Sequence, residues 1–252
     1  MTPYVPNCAA PLVFESEFDE VPYGMAGTGF LLQSNSKFYF LTAKHTLTLG
    51  DHERLRVPRS FGSTELLELG QFGHPVLQEG TEDTDWLDLA AFSVVPIEFG
   101  RDGDRHALEP AFLSNTDTRH LLQDGVLLTV RGYPAAAPQS GIDFERKRIS
   151  MQALNCDANF LTLTESQCCY ELQFVLSCPI DDFNFMSGSP VFAKLPHKRS
   201  IFYVLVGVLL RAGGAERRGR FVTIEVFKRC RDYYADPSAR PNTTDPAEES
   251  PP

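Results

Sequence analysis

The feature that most constrains the fold of this chain is a series of short apolar runs, each bounded by turn residues. The clearest runs read GFLLQ, KFYFLTA, DLAAFSVVPI, VLLTVRG, IFYVLVGVLLR and FVTIEVF. Turn residues such as Ser34-Asn35-Ser36 separate them, as expected for strands and hairpins. No sustained 3.6-residue periodicity occurs until residues 226–234, where apolar positions share one helical face. The sequence therefore predicts an all-β protein closed by one short C-terminal helix.

A looser stretch divides these runs into two halves. Residues 96–124 are rich in charged and turn residues, which is typical of a crossover between two lobes. We therefore predict two packed antiparallel β-barrels, over residues 21–110 and 111–235. The Pro-rich residues 1–20 are predicted to form an irregular N-terminal strap, and the Pro-, Thr- and acid-rich residues 236–252 a disordered tail.

Charge and cysteine usage exclude several classes of function. The net charge of −10, from 23 basic and 33 acidic residues, argues against a nucleic acid partner, because phosphate binding needs a basic surface. No stretch reaches the roughly 18 consecutive apolar residues of a membrane helix, and the first residues lack the pattern of a secretory signal. The six cysteines show no Cys-x-x-Cys spacing. We therefore predict reduced thiols, no metal or other cofactor, no membrane partner and a cytoplasmic protein.

Three polar residues stand at the edges of predicted strands, in an order that suggests acyl-transfer chemistry. His45 ends the run LTAKH, Asp88 opens the run DLAAF, and Ser187 precedes the turn GSP in FNFMSGSPVF. A serine hydroxyl is a weak nucleophile at neutral pH and needs a neighbouring base to take its proton. A carboxylate on the far side of a histidine ring fixes its tautomer and stabilises the imidazolium. Because the three residues are far apart in sequence, only a fold that brings two halves face to face can assemble them.

The segments GTGFLL, LTAKH, DLAAF and MSGSPVF together resemble the trypsin-like (chymotrypsin-fold) serine peptidase family, over roughly residues 20–235. Thr-Ala-Lys-His matches the family's T-A-x-H, Asp-Leu-Ala its D-x-A, and Ser-Gly-Ser-Pro its S-G-[GS]-P. The resemblance implies a chymotrypsin-like pair of barrels, with Ser187 as nucleophile, His45 as general base and Asp88 as orienting carboxylate. It also implies an oxyanion hole built from the backbone N–H groups of Phe185 and Ser187.

The resemblance also decides between neighbouring candidates. Asp83 and Asp85 precede Asp88 in an acidic loop, but only Asp88 opens the D-x-A strand. Ser189 fits the family's second small residue before proline, which favours Ser187 as the nucleophile.

The chain departs from the family at Phe185, where glycine is usual. A phenylalanine adopts positive φ far less readily than glycine, so we expect an oxyanion hole that is unformed at rest. This expectation predicts a peptidase kept inactive until a protein partner or a conformational change orders the turn from Phe185 to Ser187.

Specificity is predicted from two further positions. Asp181, six residues before Ser187, stands where trypsin-like members carry the acid that floors the primary pocket and selects Arg or Lys. The alternative is that Asp181 is a solvated loop residue, because two adjacent acids in a loop usually face water. The strand containing Leu210, Arg211 and Ala212 is expected to bind an extended peptide by β-augmentation, and Arg211 would there favour an acidic side chain.

These features favour an endopeptidase that acts on protein or peptide substrates through an acyl-enzyme. The alternative is a peptidase-fold module with little or no turnover, which binds an extended peptide or a protein partner. Esterase activity on small acyl substrates would use the same residues, so turnover of peptides against esters is needed to separate the two.

Overall fold

The computed structural model describes residues 4–49, 52–58, 65–75, 85–94, 108–137, 141–143, 145, 148–161, 168–198 and 200–235. Over these residues the protein is mostly β, as the sequence predicts, with one curled sheet, one closed barrel and one α-helix, α1 (Ile224–Ala235). No helix of this described part combines the length and the apolarity needed to cross a membrane. The predicted tail 236–252 lies outside the described residues.

The first unit is an antiparallel sheet that curls into a half-barrel. Its strands are β1 (Ala9–Glu15), β2 (Tyr23–Ser34), β3 (Lys37–Ala43), β4 (Leu55–Pro58), β5 (Leu66–Glu68), β6 (Phe72–Gly73), β7 (Leu89–Val94) and β8 (Ala111–Phe112). The sheet order is β5-β4-β1-β2-β3-β7-β6, and β8 pairs with β2 in parallel. The predicted hairpin of β2 and β3 forms around Asn35, whose φ of 56° is one that asparagine tolerates.

The second unit is a closed six-stranded antiparallel barrel with one separate hairpin. The strands are β9 (Leu127–Gly132), β10 (Gly141–Asp143), β11 (Arg148–Ser150), β12 (Leu154–Leu161), β13 (Cys169–Phe174), β14 (Pro190–His197), β15 (Ser200–Gly213) and β16 (Arg218–Thr223). The barrel closes in the order β12-β13-β16-β15-β14-β9, and β10 pairs with β11.

Alternate side chains of the β2–β3 hairpin supply two different cores. Leu31 and Phe40 pack inside the curled sheet. Phe30 and Leu41 point the other way, into a core that also takes Val208 of the barrel and residues of α1. The period of two residues in a strand therefore explains why this hairpin is apolar on both faces and why the two units pack together.

The N-terminal residues differ from the prediction of an irregular strap over 1–20. Residues Ala9–Glu15 form β1, which lies between β4 and β2 in the first sheet. Pro11 is tolerated there because Thr28, its partner on β2, donates its N–H to Ser187 O and not to β1. The missing N–H of Pro11 therefore breaks no ladder bond with β2.

Candidate active site

Strand pairing brings His45 and Asp88 together. His45 lies in the first turn after β3 and Asp88 lies directly before β7, and these strands pair with Ala43 opposite Leu89. The His45 N–H donates to Asp88 Oδ1 at 2.8 Å, and His45 Nδ1 lies 2.7 Å from Asp88 Oδ2. The Lys44 N–H donates to Asp88 O at 2.9 Å. The two side chains predicted to work together are thus joined by direct contacts.

These contacts decide the tautomer of the imidazole. An ionised carboxylate only accepts hydrogen bonds, so the proton on neutral His45 resides on Nδ1 and is donated to Asp88. Nε2 is then the nitrogen that carries the lone pair. The His45 side chain is 47% exposed, so this nitrogen belongs to a ring at the protein surface.

Backbone hydrogen bonds hold the Ser187 turn between the two units. From the curled sheet, the Thr28 N–H donates to Ser187 O at 2.9 Å. From the barrel, the Gly188 N–H donates to Leu209 O at 2.7 Å, and the Leu209 N–H donates to Ser189 O at 2.8 Å. Ser187 itself is half-buried. Strands of both units therefore fix the predicted nucleophile.

Gly188 allows the turn to approach β2 closely. Its φ is +89°, and a Cβ at this position would overlap Thr28 O and Thr42 Oγ1. The Thr42 hydroxyl donates to Thr28 O at 2.7 Å and is itself buried. Only glycine satisfies both the left-handed conformation and this contact.

A second close approach connects the Ser187 turn to the turn that carries His45. A Cβ on Gly27 would lie 2.9 Å from Thr46 Cγ2 and 3.1 Å from Ser187 O. Thr46 directly follows His45 in the chain. Gly27 therefore lies between the two turns, and its missing side chain lets them come together across β2.

Phe185 has a φ of +69°, the left-handed conformation that a phenylalanine was expected to avoid. The Thr28 hydroxyl donates to Phe185 O at 2.7 Å, and the Met186 N–H donates to Phe183 O at 3.0 Å. The Thr28 hydroxyl also accepts from the Tyr133 N–H at 3.0 Å. These bonds hold Phe185 in a conformation that costs a non-glycine residue about 1–2 kcal/mol.

Two backbone N–H groups of this turn have no acceptor among the residues that the structure describes. Over the described ranges, the N–H groups of Phe185 and Ser187 donate to no other residue. Both residues are half-buried. A pair of free donors beside a serine is the arrangement that stabilises a developing oxyanion.

The end of β15 has one open edge. β15 pairs with β14 as far as Val208, and the bonds of Leu209 with Gly188 and Ser189 extend this ladder by one residue. From Leu210 onwards the described strands pair with β15 only on the β16 side. Leu210 is 2% exposed and packs into the core, whereas the Arg211 side chain is 64% exposed.

Asp85 links the Asp88 turn to the barrel. Its carboxylate forms ion pairs with Arg211, at 3.3 Å, and with Arg220. Its carbonyl oxygen accepts the N–H of Asp88 at 3.1 Å. The carboxylate of Asp85 faces arginines, whereas that of Asp88 faces the histidine, so Asp85 is not supported as the partner of the histidine. Asp83, the other alternative, lies outside the described residues.

Asp181 is not at the floor of a buried pocket. Its side chain is 94% exposed and forms an ion pair with Arg217 at 3.6 Å. Arg217 in turn donates to the carbonyl oxygens of Cys178 and Ile180, at 3.1 and 2.6 Å. The prediction from a six-residue offset is therefore wrong about the position of this acid, because the loop carries its side chain outwards.

Thr28 is a residue of the candidate site that the sequence analysis did not identify. It makes hydrogen bonds to both Ser187 and Phe185, yet it lies far from them in sequence, in the run GTGFLL. A polar residue between two glycines in an otherwise apolar strand was the available signal, because glycines in strand interiors mark close backbone approaches.

Comparisons with known proteins add no assignment to this geometry. No protein-family model matches the chain, and no curated protein matches its sequence. In the part of the chain that the structure describes, no group of three or more His, Cys, Asp or Glu side chains is arranged to hold a metal ion.

Proposed function

We propose that the protein is a trypsin-like (chymotrypsin-fold) serine endopeptidase, in which Ser187 is the nucleophile, His45 the base and Asp88 the orienting carboxylate. The observation that carries the proposal is the pair of hydrogen bonds from His45 N and Nδ1 to the two oxygens of Asp88, at 2.8 and 2.7 Å. An ordinary surface ion pair does not fix both the backbone and the ring of a histidine. A histidine that must take and return a proton in one geometry needs both.

The proposed reaction begins with attack by Ser187 Oγ on the carbonyl carbon of the scissile peptide bond. His45 Nε2 takes the hydroxyl proton, and the carboxylate of Asp88 stabilises the imidazolium that results. The tetrahedral intermediate then collapses and expels the amine, which receives the proton from His45. Water hydrolyses the remaining acyl-enzyme through the same two proton transfers in the reverse order.

The free N–H groups of Phe185 and Ser187 support an oxyanion hole at this turn. In the proposed reaction both donate to the oxygen that becomes negative in the tetrahedral intermediate. One such donor is typically worth on the order of 10²–10³ in rate. An activating partner was expected because Phe185 was expected to avoid positive φ. With a φ of +69°, that requirement is not part of the proposal.

The open edge of β15 supports an extended peptide as the substrate. Backbone groups from Leu210 to Ala212 have no strand beyond them on this side among the described residues. A peptide that adds one strand here gains main-chain hydrogen bonds whatever its sequence. Asp85 already pairs with Arg211, so an acidic substrate side chain would have to compete for that guanidinium.

Covalent labelling with a fluorophosphonate probe tests the proposal. We expect the wild-type protein to be labelled, and Ser187→Ala and His45→Ala to remain unlabelled with unchanged circular dichroism. Ser189→Ala is the matched control, because this buried hydroxyl has no hydrogen-bond partner among the described residues and its loss should leave labelling intact. Cleavage of a peptide library against hydrolysis of p-nitrophenyl esters then separates an endopeptidase from an esterase.

A peptide-binding module without turnover is the second candidate, and the open edge of β15 is the observation that favours it. Such a module would bind extended peptides equally well in its Ser187→Ala form. Absence of labelling in a folded wild-type protein that still binds peptides would select this function over the peptidase.

A further inference from the structure

The peptide group between Asn184 and Phe185 determines where the Phe185 N–H points. A peptide group is planar, and in its trans form the C=O and the N–H point in opposite directions. No peptide bond in the described part of the chain is cis. The direction of the Asn184 carbonyl therefore sets the direction of the proposed oxyanion donor.

A turn of the second unit binds this carbonyl. The Ala135 N–H donates to Asn184 O at 3.1 Å, and Ala135 follows β9 after a short connection. The turn is closed by the Ala137 N–H, which donates to Pro134 O at 3.1 Å. Pro134 and Ala137 are buried, whereas Ala135 is exposed. The donor to Asn184 thus belongs to a turn that is anchored at both ends.

The neighbouring backbone groups are held by other partners. The Asn184 N–H donates to Asp182 Oδ1 at 2.9 Å, and Asn184 Nδ2 donates to Asp182 Oδ2 at 3.2 Å. On the other side, Phe185 O accepts from the Thr28 hydroxyl at 2.7 Å. Among the described residues, the bond from Ala135 is the one that acts on the peptide group between Asn184 and Phe185 itself.

Rotation of this peptide group would replace the proposed oxyanion donor by an acceptor. After a rotation of about 180°, the Asn184 carbonyl oxygen would point where the Phe185 N–H points now. The same rotation would bring the φ of Phe185 from +69° into the negative range that phenylalanine prefers. It would also break the bond from Ala135. The strain at Phe185 therefore favours the rotation, and the Ala135 bond opposes it.

We propose that the turn from Pro134 to Ala137 positions the oxyanion hole, because the Ala135 N–H holds the peptide group between Asn184 and Phe185 in the donating orientation. The inference rests on the proposed peptidase function. Ala135 is a positioning residue, since it acts through Asn184 and not on the substrate. A glycine in place of Phe185 would carry no such strain. The turn thus compensates for the departure from glycine at this position.

Ala135→Pro removes the donor and is compatible with the turn. The bond from the Ala137 N–H to Pro134 O makes Ala135 the second residue of a four-residue β-turn, a position at which proline is favoured. Proline has no N–H, and its ring takes the place of the hydrogen, so the Asn184 carbonyl must move away. Ala135→Ser keeps the N–H and is the matched control.

The expected effect falls on the rate of the chemical step. In Ala135→Pro the fluorophosphonate labelling rate and the kcat for peptides should fall by at least about fivefold, the factor by which one net hydrogen bond shifts an equilibrium. The limit is the loss of about 10²–10³ for a missing oxyanion donor. KM should stay near the wild-type value, because the edge from Leu210 to Ala212 is unchanged. Ala135→Ser should keep the wild-type rate.

Selective isotope labelling reports on this peptide group whether or not the serine reacts. Asparagine is followed by phenylalanine at two places, Asn159–Phe160 and Asn184–Phe185. Protein with ¹³C at the asparagine carbonyls and ¹⁵N in phenylalanine therefore gives one NMR cross-peak for each. Ala135→Pro should shift the Asn184–Phe185 cross-peak, and Ala135→Ser should not. The Asn159–Phe160 cross-peak, from strand β12, should stay in place in both variants. In the wild type, the Ala135 amide should exchange slowly with deuterium although the residue is exposed.

The outcomes separate the positioning role from the peptidase function. A folded Ala135→Pro protein that is labelled at the wild-type rate would overturn the role of Ala135, as would an unshifted Asn184–Phe185 cross-peak or rapid exchange of the Ala135 amide. If Ala135→Pro does not fold, replacement of Ala135 by lactic acid removes the N–H without adding a ring, and the same rates decide. An unlabelled wild type whose cross-peaks respond as expected would contradict the proposed peptidase, and this role with it, but not the hydrogen bond.

Discussion

Replacing Thr28 by valine tests how the Phe185 conformation is maintained. The Thr28 side chain is completely buried, and its hydroxyl donates to Phe185 O at 2.7 Å and accepts from the Tyr133 N–H at 3.0 Å. Valine has nearly the same shape but no hydroxyl. Thr28→Val therefore removes the partner of two backbone groups and leaves the packing of β2 in place.

The expected magnitudes follow from these two bonds. A buried polar group without its partner costs about 1–3 kcal/mol, so the free energy of unfolding should fall by roughly 2–6 kcal/mol. Only the bond to Phe185 O acts on the turn itself, and it offsets about 1–2 kcal/mol of left-handed strain at that residue. Since about 1.4 kcal/mol corresponds to a factor of ten, the population of the left-handed turn, and with it the labelling of Ser187, should fall about tenfold.

Fluorophosphonate labelling rates of four variants measure this effect, with urea unfolding as the stability readout. Thr28→Ser keeps the hydroxyl and should label like the wild type. Phe185→Gly removes the strain, so the double variant Thr28→Val with Phe185→Gly should recover most of the lost rate, because glycine adopts positive φ unaided. A Thr28→Val protein that is folded and labels at the wild-type rate would refute the role assigned to this hydroxyl.

Three further substitutions test the supports of the site. In Gly188→Ala the added Cβ would overlap Thr28 O at a φ of +89°. The free energy of unfolding measured in urea should therefore fall by at least about 3 kcal/mol. A urea midpoint near that of the wild type would contradict this packing. Asp85→Asn loses the charge that pairs with Arg211 and its neighbour Arg220, so a peptide with an acidic side chain no longer competes for the Arg211 guanidinium and its KM should fall, whereas an unchanged KM would separate this ion pair from substrate binding. Glu225→Ala removes a largely buried carboxylate that accepts from a lysine of its own helix at 2.7 Å and from a backbone N–H at 3.0 Å; calorimetry should find a stability loss of about 2–4 kcal/mol, and Glu225→Gln should lose less.

The elements set by local pattern were predictable from the sequence. The run KFYFLTA is β3, and the helical face over 226–234 lies within Ile224–Ala235. Asp88 was distinguished from Asp85 because it opens the D-x-A run, and the structure places it directly before β7. Hydrophobic periodicity specifies strands and helices because each element must bury one face or both.

Features that depend on the path of a loop were not predictable. Asp181 was assigned by counting residues back from the nucleophile, but counting does not give the direction of a side chain in a turn. The backbone conformation of Phe185 could not be predicted either. Its intrinsic preference is against positive φ, and a hydroxyl more than a hundred residues away in the chain overrides it. Tertiary contacts of this kind leave little trace in a single sequence.

The open edge of β15 also affects the tendency of this protein to self-associate. An unpaired strand edge that accepts a peptide will accept any extended chain, including the same edge of another molecule. Here the exposed edge is short, because Leu210 sits at an irregularity in the β15–β16 register and Gly213 and Gly214 have positive φ of 153° and 77°. Arg211 adds an exposed charge in the middle of the edge. A short edge with an irregular register pairs poorly with the same edge of a second copy, whereas a flexible peptide, as in the proposed function, would still fit against it.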